Sequence, residues 1–147
     1  DIANVCAAGR EIAAENGLQE RISYHAADLI RDDLPSGFDM VLECDVGVYS
    51  EEVLRKIRAL LNPGGHLVIV DHFAPAEGVA PATPPYPYWA FLASLEDPEF
   101  GFPTATQMQA RLRQAGFQPL SAETLVVRGA LRWARDWFAI VARKQSD

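Results

Sequence analysis

Hydrophobic positions along this chain recur with two periods, and the switches between them mark its elements. Ile2, Val5, Ala8 and Ile12 recur at spacings of three and four, which predicts one apolar face of a helix over residues 2–16. Asn16-Gly17 ends it, with Gly17 suited to the left-handed position past the helix and Leu18 to the apolar contact beyond. Ile22, Tyr24 and Ala26 then alternate, predicting a strand over 21–27 that ends near Asp28. A polar, turn-rich loop spans 31–37. Phe38–Cys44 is apolar at its centre and polar from Glu43 onward, a second strand. Ser50 is placed to cap a helix, and Glu51 and Glu52 favour the positive end of its dipole. Val53, Ile57, Leu60 and Leu61 form the stripe of that helix, while Arg55, Lys56 and Arg58 face water.

Leu61-Asn-Pro-Gly-Gly-His-Leu-Val-Ile-Val-Asp-His-Phe73 then punctuates the chain: helix end, turn, strand. Pro63 lacks the N–H needed to prolong a helix, and Gly64 suits the turn position that requires a positive φ. Leu67–Val70 is a continuous β-branched run of the kind buried on both faces of a parallel sheet, and it ends in Asp71-His72. Residues 74–103 are rich in proline and aromatics, a candidate substrate lid in which 88–95 has the pattern of a short helix. Thr104 and Gln107 form a capping-box pair for a helix that buries Met108, Leu112 and Ala115 and stops at Gly116. Two last strands are predicted over 123–128 and 136–143, joined near Gly129 as an antiparallel pair.

Strands alternating with helices predict an α/β domain with a mostly parallel sheet, helices on both faces and an antiparallel edge strand. A length of 147 residues fits one domain with a real core. A net charge of −7 argues against a nucleic-acid backbone partner. Two cysteines without metal spacing, Cys6 and Cys44, are expected to be buried and reduced, as in a cytoplasmic protein, and no metal site is expected. No apolar run approaches a membrane span, so no membrane partner is expected. The chain starts at Asp1 without a methionine and reads as part of something longer.

The chemistry concentrates at strand ends. Asp28 follows the first strand, Glu43 and Asp45 the second, Asp71 the third, and Asp1 stands just before a helix. Carboxylates at the carboxyl edge of an α/β sheet are suited to gripping ribose hydroxyls, because each accepts two hydrogen bonds from the diol. Taken in order, Asp1, Gly17-Leu-Gln-Glu-Arg-Ile22, Ala27-Asp28-Leu29, Leu34-Pro-Ser-Gly-Phe-Asp39, Leu61-Asn-Pro-Gly-Gly65 and Ala115-Gly-Phe117 resemble a known pattern. It is that of the class I S-adenosylmethionine-dependent methyltransferases, and more narrowly of the catalytic domain of caffeate- and acetylserotonin-type small-molecule O-methyltransferases.

The resemblance implies a Rossmann-like fold, incomplete at its N-terminus, and methyl transfer from S-adenosylmethionine to a small aromatic or hydrophobic acceptor. By the same resemblance Asp1 binds the cofactor ribose, Asp28 sits by the adenine amino group, Leu29 packs the ring, and Glu43 and Cys44 line the cofactor cleft. It also implies an N-terminal dimerisation domain, hence a homodimer of the full-length protein. Two departures stand out. The glycine-rich loop expected before Asp1 is not in the sequence, and Gly47 takes the place of the family's general-base histidine. His72 and Asp45 are the nearest substitutes as base, His72 the better because a neutral imidazole is available near pH 7. A reaction needing no base is a third option. Two other readings compete: a non-catalytic, methyltransferase-like fragment acting as a binding module, and an NAD-dependent reductase, against which the Pro-Gly-Gly turn and the antiparallel pair count.

Overall fold

The computed structural model describes residues 1–47, 49–74, 91, 95, 102–125 and 137–146. They form two compact units, residues 1–35 and 36–147. The first unit is built on α1 (Ala3–Glu15). Its end follows the expected glycine logic: Gly17 takes φ 68° and donates to the Ala14 carbonyl, while Leu18 donates to that of Ala13.

The face that α1 buries is not the expected one. Cys6 and Ala13 are buried, whereas Ile2, Val5 and Ile12 are exposed. The inner face is made of small residues because the Tyr24 ring lies directly against Gly9, where any Cβ would collide with it, and Arg10 donates to the Tyr24 carbonyl. The strand expected over 21–27 is not formed; residues 22–28 have no regular structure. Among the described residues, its backbone-to-backbone bonds to a neighbouring segment all go to one residue: Ala27 donates to the Asp1 carbonyl at 3.0 Å, and the Asp1 amino group donates to the His25 and Ala27 carbonyls, which makes no ladder. Alternation sets which way side chains point, but a strand also needs a neighbour that completes its hydrogen bonds.

The second unit holds a four-stranded mixed sheet, β1 (Phe38–Cys44), β2 (Leu61–His72), β3 (Phe117–Thr124) and β4 (Trp137–Lys144), in the order β1-β2-β4-β3. β1 and β2 are parallel; β4 is antiparallel to both β2 and β3. β4 is therefore the reversed strand, and it stands one place in from the edge rather than at it. β3 starts earlier than the pattern suggested, directly after Gly116. The residues of the expected 123–128 strand beyond 125 lie outside those described.

Helices α2 (Glu51–Leu60) and α3 (Ala105–Gln114) touch each other and pack on one side of the sheet. Both start on the expected caps. Ser50 accepts from the Val53 N–H, and Thr104 and Gln107 satisfy each other's backbone N–H groups. Val53, Leu54 and Ile57 of α2 and Met108 and Leu112 of α3 meet Leu67, Ile69, Phe117 and Ile140 in the core. Leu54 thus takes the buried place expected of Leu60, which is only half-buried.

The Pro-Gly-Gly segment forms a bulge at the start of β2. The β1–β2 register jumps from Phe38↔Leu61 to Met40↔His66 across it. Gly64 takes φ 76°, and a Cβ on Gly65 would press on the Asn62 and Asp39 carbonyl oxygens. From there β2 alternates strictly: Leu67, Ile69 and Asp71 are buried, Val68, Val70 and His72 half-buried. On the latter side of β1, Met40 is 58% exposed, Leu42 57% exposed, and Cys44 exposed too, so the expected burial of both cysteines holds for Cys6 alone. The ends of the 74–103 segment are tied together, Ala74 donating to the Pro103 carbonyl at 2.9 Å. Within it Phe91 and Leu95 are helical and exposed; the aromatic run 81–89 lies outside the described residues. No described helix is long and apolar enough to cross a membrane.

Candidate active site

Parity along β1 and β2 decides which strand-end residues meet. Glu43 aligns with Ile69 and Cys44 with Val70. Successive side chains point to opposite faces, so Glu43 and Asp71 share the helix-covered inner face while Cys44 and His72 share the outer one. Glu43, Cys44, Asp71 and His72 are thus divided into two pairs by the sheet itself.

On the inner face Asp71 is 2% exposed and well supplied with donors. Its Oδ1 accepts from the His72 N–H at 2.7 Å, and its Oδ2 accepts from the Gly47 N–H at 3.1 Å and from the Tyr49 hydroxyl. Tyr49 is buried, and its phenol is pushed well above its ordinary range. Burial is the larger cause, followed by its bond to Asp71 and the nearby Asp71 and Glu43 charges. Glu43 is 4% exposed, and both of its carboxyl oxygens are buried without a hydrogen-bond partner among the described residues. Burial, then the Asp71 charge, raises it to about 7.

On the outer face the His72 ring lies 4.6 Å from that of Trp137, tilted by 53°. Trp137 pairs with His72 across β2 and β4, so the reversed strand delivers an aromatic ring to the edge where the catalytic histidine was expected. Phe138, which pairs with Asp71 and so belongs to the inner face, meets Phe73 edge to face at 6.0 Å. Asp45 is exposed, takes φ 57°, and donates its N–H to the Val70 carbonyl. Asp tolerates that left-handed conformation better than most residues, which lets the chain turn away from the sheet here.

The remaining expected residues belong to the first unit. Asp1 is exposed, with one carboxylate oxygen accepting from the Ile2 N–H at 2.7 Å. Asp28 is exposed and closes its own turn, accepting from the Ile30 and Arg31 N–H groups and pairing with the Arg31 guanidinium; Leu29 is half-buried. Taken one by one, Asp1, Asp28 and Cys44 are exposed and Leu29 is half-buried, whereas the Glu43 carboxyl is enclosed. Among the described residues no group of three His, Cys, Asp or Glu could hold a metal.

Tyr49 and the Gly47 N–H escaped the sequence reading as site groups. Their signal was present but faint: an apolar strand whose inward parity ends in an acid must find donors close by, and a tyrosine between that strand and the next helix is one. A cavity of about 540 Å³, lined by Gly64, Gln118, Arg143 and Lys144, opens at the opposite edge and holds none of the expected residues.

No protein-family model matches the sequence, and no curated protein does. Solved structures do match by shape. A putative O-methyltransferase from Nostoc punctiforme aligns over 98% of this chain and 43% of its own, with 21% identity and a TM-score of 0.77. An O-methyltransferase family 2 protein from Planctomyces limnophilus, solved with apigenin, aligns over 98% and 41% at 20% identity and a TM-score of 0.72. The [4+2]-cyclase SpnF aligns over 97% and 63%, with 21% identity and a TM-score of 0.69. The chain spans about two-fifths of the length of the two O-methyltransferase structures. At these identities the likeness speaks for architecture: the chain has the α/β fold of the class I S-adenosylmethionine-dependent O-methyltransferases.

Proposed function

We propose that this chain works in methyl transfer from S-adenosylmethionine to a small, aromatic or otherwise hydrophobic acceptor at the carboxyl edge of the sheet. The observation that carries this reading is the sheet order β1-β2-β4-β3, with the reversed β4 seated between two strands of common direction. That arrangement fits the O-methyltransferase structures and counts against the NAD-dependent reductase reading.

When bound, S-adenosylmethionine supplies an electrophilic methyl group on a sulfonium centre. What the protein contributes is placement: holding acceptor and donor in line is worth several powers of ten in rate. Asp1 is suited to the ribose diol, Asp28 to the adenine amino group, Leu29 to the ring, and the exposed Cys44 to the wall of the cleft. Glu43, enclosed on the inner face, is suited to a place behind the ligand. His72 is the candidate base for a hydroxyl acceptor, its ring steadied against Trp137, with the exposed Asp45 as the second candidate. A small acceptor suits the acidic chain better than a nucleic acid, and the full-length protein is expected to act as a cytoplasmic homodimer.

Calorimetry on the full-length protein tests the reading with S-adenosylmethionine, S-adenosylhomocysteine and NADH. Binding of the first two and not the third is expected; silence with all three overturns it. Because SpnF shows the same fold in a cyclase, turnover of the cofactor to S-adenosylhomocysteine is the second required result. His72→Ala in that protein is expected to lower kcat by 10²–10⁴-fold, the usual worth of a general base. Unchanged turnover removes His72 from that role.

A further inference from the structure

Glu43 has no part in the methyl-transfer reading that requires its burial. Yet it is a strand-end acid enclosed with no donor facing either oxygen among the described residues. A lone carboxylate in such a place is costly, and the usual escapes are a cation, a set of donors, or a proton. Among the described residues, the buried ones on this side of the sheet offer neither cation nor spare donor. Val53, Leu54 and Ile57 of α2 and Ile69 and Ile140 of the sheet are apolar. Among the described residues, Asp71 is the ionisable group that acts on Glu43, and Asp71 and Glu43 are those that act on Tyr49. The Tyr49 hydroxyl and the Gly47 N–H are already given to Asp71. What remains beside Glu43 is an acceptor, the Asp71 carboxylate, on the same face of the neighbouring strand.

We propose that Glu43 is held in its protonated form, donates that proton in a hydrogen bond to Asp71, and so acts as a positioning residue for the Asp71–Tyr49–Gly47 arrangement at the carboxyl edge. With the proton in place the pair carries one negative charge, and Asp71 keeps its oxygens turned to Tyr49, Gly47 and His72. When the proton leaves to solvent, two enclosed carboxylates face each other and repel. The bonds that yield first are those fastening Gly47 and Tyr49, because the chain around them is the part not built into the sheet. Burial and the Asp71 charge place the event near neutral pH, so the geometry of this edge responds to pH in the physiological range.

The test is a pH titration of the intact chain by NMR, with carboxyl-labelled glutamate assigned through Glu43→Gln. The Glu43 signal is expected to move with a midpoint within about a unit of 7, and the Gly47 amide and Tyr49 ring signals to move with the same midpoint. In Glu43→Gln, whose amide N–H can still donate to Asp71, the Gly47 and Tyr49 signals are expected to stay at their low-pH positions up to pH 9. In Glu43→Leu they are expected to be displaced at every pH. A Glu43 carboxyl already ionised at pH 5 overturns the proposal. So do Gly47 and Tyr49 signals that ignore the Glu43 transition. Should either variant fail to fold, the wild-type titration decides alone, since both overturning results are read there and assignment can be made through the backbone.

Discussion

The two faces of one sheet edge differ more than two residues' worth of sequence would suggest. Inward, Glu43, Asp71 and Tyr49 are packed under helices and nearly dry. Outward, Cys44 and His72 stand at the ends of the same two strands and remain open or half-open. Neighbours in sequence are therefore divided by the pleat into a buried polar network and an accessible surface. The inner group can hold a proton or a shape, because solvent does not reach it. The outer group can meet a ligand. Chemistry that needs both must couple them through the backbone, and the His72 N–H that donates to Asp71 is that coupling in the structure.

Substitutions that treat the two faces differently sharpen this contrast. The largest effect is expected in the inner core: Ile69→Ala or Phe117→Ala should cost about 2–5 kcal/mol in urea denaturation, because each leaves a cavity in a fully buried site. A cost below about 1 kcal/mol would mean that the inner face is not closed.

Next comes pH. Glu43 is raised from 4.5 to about 7 in the folded chain, so the native state binds the extra proton between those values. The stability tied to that proton is fully present below pH 4.5 and lost as pH rises through 7, a loss on the order of 3 kcal/mol by linkage. Glu43→Gln should flatten the stability profile over this window and leave the variant more stable than wild type at pH 8. A profile that rises from pH 5 to 8 in wild type and is unmoved by the substitution contradicts the assignment.

Tyr49→Phe should follow, at about 1–3 kcal/mol, since it removes a donor from a buried carboxylate. Its penalty should be larger at pH 8 than at pH 5, where protonated Glu43 still serves Asp71. Thr104→Ala should cost about 1 kcal/mol by opening the capping box of α3. Met40→Ala on the outer face should lie within about 0.5 kcal/mol of wild type. An effect as large as that of Ile69→Ala would show that the outer side of β1 is covered in solution.

Local signals carried much of the fold. The Gly17 and Gly64 turns, the Ser50 and Thr104 caps and the β2 run followed the sequence because each depends on residues within a turn or two of itself. The misreadings were matters of partnership. α1 was expected to bury its largest apolar residues and instead buries its smallest face, because an aromatic ring approaching a helix needs the room that Gly9 leaves. The 21–27 segment alternates as a strand but is not laddered into one. Cys44 looked buried by its neighbours in sequence and is exposed by its parity.

The same division runs through the candidate site. By itself the sequence determined that acids stand near the carboxyl ends of β1 and β2, because a strand's apolar run and its polar stop are local facts of composition. It also determined that Asp71 and His72 close the central strand. Only the tertiary structure decided that Glu43 joins Asp71 while His72 joins Trp137. That choice depends on the register of β2 against strands before and after it in the chain, separated from it by helices and a long insertion. Register is set by the summed fit of whole faces, which no single stretch of sequence contains.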